Sequence, residues 1–173
     1  MASSNIILIG MAAAGKSTIG RRLAKHLRWA FVDTDLLMEA WWGAPLQHIR
    51  DSLGLTAFLQ AEADQILRLN LRQCVVGTGG SVVYSEAAMA HLADLGVIVH
   101  LKSSFTSIAR RLTNPASRGL AMGPNQTLRE LYDERAPLYA RFAQVTVNTD
   151  STDMNQICSS IVQGVNPLLQ ENA

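Results

Sequence analysis

Gly10-Met11-Ala12-Ala13-Ala14-Gly15-Lys16-Ser17-Thr18 is the stretch on which the reading of the chain turns. It fits G-x-x-x-x-G-K-[ST], a phosphate-binding loop, and its surroundings are those the loop requires. Before it, Asn5-Ile6-Ile7-Leu8-Ile9 is a short apolar run, as expected of a strand buried on both faces. After it, Ile19, Leu23 and Leu27 recur at helical spacing, flanked by Arg21, Arg22 and Lys25. Glycine at positions 10 and 15 lets the backbone wrap closely around a polyphosphate and turn its N–H groups inward. A helix starting near Lys16 adds unpaired amides and the positive end of its dipole. Lys16 can then reach the β- and γ-phosphates, and the Ser17 hydroxyl can bind Mg²⁺. Alanine stands at 12, 13 and 14, where extra glycine is common. That suits the loop if none of these positions needs a positive φ.

Working outward, Trp29-Ala30-Phe31-Val32 reads as a second strand that ends in Asp33-Thr34-Asp35. Side chains two apart on an extended segment share a face, so both carboxylates can point toward the ligand crevice at the carboxyl ends of the strands. One Asp can then serve Mg²⁺ through water and the other a substrate hydroxyl. The plainer alternative is that one of them only caps the next helix. Leu36–Trp42, Leu46–Leu53 and about Thr56–Arg72 read as three helices broken at Gly43-Ala44-Pro45 and Gly54, forming a helical substrate lobe over about 35–72. Trp41 and Trp42 are expected to pack rather than stack on a ligand, and His48 to lie on a helix surface.

Cys74-Val75-Val76-Gly77 reads as the third strand and runs into Thr78-Gly79-Gly80-Ser81. It ends without Asp or Glu, which argues against motor ATPases and helicases; Gly79-Gly80 points instead to close backbone approach to a ligand. A helix over Glu86–Leu95, a strand over Val97–Leu101 and a helix over Phe105–Leu112 follow, with His100 expected to be a satisfied core histidine. Thr113–Asn125, with two prolines, two glycines and Arg118, reads as a mobile lid. Such a lid can carry an arginine onto a transferring phosphate and exclude water. A helix over Thr127–Leu138, a strand over Gln144–Asn148 and a helix over Met154–Val165 complete the chain. Alternating strands and helices predict an α/β fold: a three-layer αβα sandwich around a five-stranded parallel sheet, in one domain.

At 173 residues the chain can bury a sizeable core, and 48% hydrophobic with 17% charged residues is ordinary for a globular protein. A net charge of +1 gives no reason to expect nucleic acid or membrane as a partner. No apolar run approaches a membrane span, and no signal peptide is evident. Cys74 and Cys158 have neither metal nor redox spacing and are expected to be buried, reduced thiols of a cytoplasmic protein. The basic group Arg21, Arg22, Lys25 and Arg28 reads as a solvated helix face.

Several separated motifs agree with one family. The chain resembles shikimate kinase, of the nucleoside-monophosphate-kinase-like group, over nearly its whole length. The resemblance rests on Gly10–Thr18 continuing into Ile19-Gly20-Arg21-Arg22-Leu23-Ala24, on Asp33-Thr34-Asp35, on Phe58 with Glu62, and on Thr78-Gly79-Gly80. It rests also on Arg111 seven residues before Arg118, and on Arg135-Ala136-Pro137-Leu138-Tyr139. It implies sheet order 2-3-1-4-5 and transfer of the γ-phosphoryl of ATP, with Mg²⁺, to a hydroxyl of a small carboxylated alcohol, shikimate first among candidates. Gly10, Ala12, Ala13, Ala14, Gly15, Lys16, Ser17 and Thr18 would hold ATP phosphates, and Ser17 and Asp33 would position the metal. Arg111 would lie by the adenine, with 148–153 around it. Asp35 would contact the acceptor hydroxyl, Gly79 and Gly80 the substrate, and Arg135 its carboxylate. Arg118 would stabilise the transferring phosphoryl group. By the same resemblance the protein is expected to be a monomer.

The acceptor side departs from the family pattern. The usual arginine after the phenylalanine is Leu59, and the usual glutamate three residues earlier is absent, with Leu55 near that place. Ser81 replaces a third glycine, and the lid reads Arg118-Gly119-Leu120-Ala121 where proline normally follows the arginine. Leu59 cannot supply the bidentate geometry of a guanidinium. The readings to weigh are therefore a shikimate kinase with another basic residue on the carboxylate, a kinase for a different alcohol such as homoserine, and a nucleotide-binding regulatory module without turnover. A GTP switch is disfavoured because no N-K-x-D segment occurs.

Overall fold

The computed structural model describes residues 5–112, 120–151 and 153–171. Its elements are β1 (Asn5–Ile9), α1 (Lys16–Leu27), β2 (Ala30–Asp33), α2 (Thr34–Trp42), α3 (Leu46–Leu67) and β3 (Cys74–Gly77). After a 3₁₀ turn at Val82–Tyr84 come α4 (Glu86–Leu95), β4 (Gly96–Lys102), α5 (Phe105–Arg111), α6 (Leu128–Phe142), β5 (Val145–Asn148) and α7 (Met154–Glu171). The sheet is parallel throughout, in the order β2-β3-β1-β4-β5. β1 lies at its centre with every residue buried, Ile7 between Val76 and Ile98, which is why that strand is an unbroken apolar run. α1 and α7 pack together against the sheet, while α3, α4 and α6 gather around the 3₁₀ turn. The resulting three-layer order is the one the alternating pattern predicts.

Connections from β1 run toward β2, and those from β4 run toward β5, so the order reverses between β1 and β4. A crevice opens there at the carboxyl ends of the strands. Gly10 leaves β1 at that point, against β4. A side chain at Gly10 would put its first carbon 2.7 Å from the Leu101 carbonyl oxygen.

Several boundaries differ from the sequence-based expectation. The two helices expected on either side of Gly54 form one element, broken only by the extended, positive-φ backbone of Gly54 (φ 74°, ψ 166°), and it stops at Leu67. α6 runs through Pro137 and beyond Leu138 to Phe142, and α7 continues past Val165 and Pro167 to Glu171. A mid-helix proline removes one hydrogen bond, and in α6 the buried Arg135 and Tyr139 anchor the helix on both sides of it. Trp41 and Trp42 are 60% and 49% exposed rather than packed; Trp41 carries the Arg68 guanidinium over its ring at 5.2 Å. Both cysteines are free and buried. No helix among the described residues is long and apolar enough to cross a membrane. Residues 113–119, the greater part of the expected lid and with them Arg118, lie outside the described residues.

Candidate active site

The loop between β1 and α1 forms a cradle. Gly10 and Gly15 adopt φ of 143° and 100°, which L side chains rarely take. Ala13 also lies in the left-handed region, at φ 64°, so the condition that none of the three alanines takes a positive φ is not met at that position. Its short side chain makes the cost about 1–2 kcal/mol, small enough for the loop to hold. Lys16 Nζ donates to the carbonyls of Gly10 (2.7 Å) and Met11 (2.9 Å). Burial lowers its pKa to about 8, against a partial opposing pull from Asp35. Ser17 Oγ donates to Asp33 Oδ2 at 2.7 Å, while Asp33 Oδ1 accepts from the amides of Asp35 and Leu36. One carboxylate thus caps α2 and meets Ser17 at the same time, joining the two readings of Asp33.

A cleft of about 480 Å³ opens over this cradle, lined by residues 12–19, Asp33, Asp35, Thr78, Arg111, Thr149, Ser151 and Met154. Arg111 is fixed at its edge by hydrogen bonds to Ser103 Oγ (3.2 Å) and the Thr149 carbonyl (2.9 Å). Thr149 Oγ1 in turn donates to the Ala14 carbonyl at 3.1 Å, tying the end of β5 to the loop. The cleft therefore joins the phosphate cradle to the segment after β5, with Arg111 between them. Its volume and its mix of backbone donors and fixed cations suit a nucleotide. Ser17 and Asp33 offer neighbouring hard oxygen donors, the kind Mg²⁺ accepts alongside phosphate and water.

A second, smaller cavity of about 50 Å³ lies beside it, lined by Ala12, Lys16, Asp35, Leu46, Phe58, Glu62, Gly79, Gly80, Leu120, Ala121 and Arg135. Here two glycines are required by crowding. A side chain at Gly79 would collide with the Glu62 carboxylate and come within 2.8 Å of Asp35 Oδ1. One at Gly80 would press on Arg135 Nη1. Burial raises the pKa of Asp35 to about 6 and that of Glu62 to about 7, each carboxylate reinforced by a neighbouring acid. Ser81 Oγ donates to Glu62 Oε2 at 2.6 Å, so the serine in the third glycine position has a structural use. Arg135 is 1% exposed and donates to the Tyr84 hydroxyl (3.1 Å) and the Ala121 carbonyl (2.6 Å). Among the described residues no carboxylate lies within ion-pair distance of it. A buried guanidinium with no carboxylate in direct contact, only Asp35 and Glu62 elsewhere on the same cavity wall, is costly, and it marks where an anionic ligand group is to be expected.

The fold thus brings together the expected residues Gly10, Ala12–Thr18, Asp33, Asp35, Gly79, Gly80, Arg111 and Arg135; Arg118 is the exception, lying outside the described residues. Leu59 is half-buried on α3 and packs on a small cluster formed by Met38, Ile49, Phe58 and Ala121. His100 is buried and stacked on Tyr139, ring centroids 5.2 Å apart, and burial holds it neutral with a pKa near 4. Sequence reasoning did not assign functional roles to Glu62, Tyr84 and Tyr139. Tyr139 donates to the Gly80 carbonyl at 2.6 Å and so fixes the glycine pair. Its place one turn after Arg135 was the available signal.

Comparison with known proteins agrees with this geometry. The family model described as shikimate kinase matches residues 12–166. A shikimate kinase of Thiobacillus denitrificans is 38% identical over 148 residues, covering 84% of this chain and 81% of its own length. One from Nitrobacter winogradskyi is 41% identical over 150 residues, covering 85% and 70%. The structure of shikimate kinase from Acinetobacter baumannii in complex with shikimate superposes with a TM-score of 0.87 at 29% identity, covering 95% of this chain and 94% of that one. With the cradle, the crevice and the buried guanidinium in their places, the chain belongs to the shikimate kinase family, phosphotransferases that use ATP and an alcohol acceptor.

Proposed function

We propose that this enzyme transfers the γ-phosphoryl group of ATP to a hydroxyl of shikimate. The observation that carries the reading is Arg135, a buried cation with no carboxylate at ion-pair distance among the described residues, in a cavity that also holds Asp35 and Glu62. A carboxylated alcohol seated with its acid group on Arg135 would set its hydroxyl toward Asp35 and the loop. The amides of residues 12–18 and Lys16 would hold the phosphates, with Arg111 beside the base. Ser17 and Asp33 would hold Mg²⁺, which when bound neutralises charge on the phosphates. Asp35, poised near pH 6, would accept the hydroxyl proton as the oxygen attacks phosphorus. Gly79 and Gly80 would leave room for the acceptor ring, and Arg118 would stabilise the transferring group from the lid. The rest is positioning and electrostatics. A helical lobe over about 35–72 and a lid over about 113–125 would close on the two substrates. Free, buried cysteines suit a reducing compartment, and a cytoplasmic monomer is the accompanying reading.

The test is ADP release with MgATP against shikimate, homoserine and other small hydroxy acids. Turnover of shikimate with micromolar KM is expected. Activity confined to homoserine, which Leu59 would favour by removing a cation from the pocket, would transfer the role to that acceptor. ATP binding without turnover of any alcohol would mean a regulatory module.

A further inference from the structure

Arg50 lies on α3 one turn after Leu46, which lines the acceptor cavity, so the two side chains share a helix face. Its Nη2 donates to the Met122 carbonyl at 3.0 Å. Its Nη1 lies 3.4 Å from an exposed Asp51 oxygen, a weak, water-facing pair. Its Nε is buried and has no hydrogen-bond partner among the described residues. The neighbouring carbonyl, that of Ala121, is held by Arg135 at 2.6 Å. Two guanidinium groups, one from α3 and one from α6, thus converge on the adjacent carbonyls of the segment Leu120-Ala121-Met122.

That same segment forms part of the cavity wall. Leu120 and Ala121 are 7% and 5% exposed, and both line the cavity of about 50 Å³. An acceptor carboxylate that reaches Arg135 there competes with the Ala121 carbonyl for its guanidinium. Displacement of the segment would free both arginines from their carbonyl acceptors. A carboxylate carries two oxygens and about four acceptor sites, enough for two guanidinium groups. Leu59, where a guanidinium is missing, packs on the cluster that contains Ile49, the residue before Arg50, and Phe58.

We propose that Arg50 is the second guanidinium of the acceptor's carboxylate clamp, held with Arg135 on the carbonyls of Ala121 and Met122 until the acceptor replaces them. The proposal rests on the shikimate reading above. It moves the missing charge from position 59 to position 50 and leaves the acid class of the acceptor intact.

The experiment is steady-state kinetics of the full-length enzyme as wild type, Arg50→Gln, Arg50→Lys and Arg50→Gln with Leu59→Arg. Arg50→Gln is expected to raise the shikimate KM about 10- to 100-fold, the range of one lost charged hydrogen bond, with the ATP KM held and kcat falling much less. Lysine keeps the charge without the fork and should recover only part of the loss. The double variant should recover most of it, which a merely structural loss at position 50 would not allow. An unchanged shikimate KM in Arg50→Gln, or parallel losses in ATP KM and kcat that Leu59→Arg does not rescue, would overturn the proposal. If Arg50→Gln does not fold, an Arg50→Lys variant with wild-type shikimate KM would do the same. Failure of the wild type to phosphorylate shikimate would instead bring down the acceptor reading, and Arg50 with it; the two failures appear in different proteins.

Discussion

The two halves of the site are built from different materials. The nucleotide half is mostly backbone: amides of one nine-residue loop, a helix start, and carbonyls that hold Lys16 and Arg111. The acceptor half is mostly side chain: Asp35 from α2, Glu62 from α3, Arg135 from α6, drawn from across the chain into about 50 Å³. Backbone geometry depends on a short run of residues, so it leaves a strict local pattern in sequence. A side-chain cluster can lose a charge at one position and regain it from another element, so its pattern erodes while its chemistry stays. Leu59 and Arg50 are the instance offered here.

The largest test of this contrast is Asp35→Asn. It should lower kcat about 10²- to 10⁴-fold while leaving the ATP KM nearly unchanged, read from initial rates with each substrate varied. In the wild type the rate should fall as pH falls through about 6, because Asp35 then carries a proton and cannot accept another. That acid limb should vanish in the variant. Equal damage to ATP binding would mean that the halves are not separable.

A second effect is on stability. Glu62 titrates near 7 in the fold against an ordinary 4.5, so the folded state binds its proton more tightly than the unfolded chain does. Its stabilising contribution is therefore complete below 4.5 and is lost as pH rises through about 7, by up to about 3 kcal/mol. Asp35 acts in the same sense between 3.8 and about 6. Urea unfolding at pH 5 and pH 8 should show a smaller loss of stability in Glu62→Gln than in the wild type. An equal loss in both would remove Glu62 as its source.

The smallest effect belongs to the loop. Ala13→Gly should relieve left-handed strain but loosen the unfolded chain, and the two nearly cancel. Thermal unfolding should show a change within about 1 kcal/mol, on the stabilising side. A clear loss would mean that the Ala13 methyl group packs as well as strains.

What could be read from sequence follows the same division. β1, the loop, α1 and the parallel sheet were legible because each depends on neighbours in the chain, whereas Asp33 and Asp35 do not share an extended segment: Asp33 ends β2 and Asp35 stands in the first turn of α2. The strained Ala13 was not legible, since composition carries no φ. Glu62 looked like one acid on a helix. Only the fold sets it against Gly79, Ser81 and Asp35. Trp41 and Trp42 misled because their apolar bulk predicts burial, whereas α2 turns both toward solvent.

Lys16 gives the cradle a resting occupant. Its ammonium sits on two carbonyls of its own loop, so a ligand gains no free charge on arrival; it must win an exchange. Two neutral carbonyls hold a cation less strongly than adjacent phosphates do. Poorly charged visitors lose that contest and a polyphosphate wins it. The loop therefore sets an entry threshold on ligand charge before any base or sugar is felt.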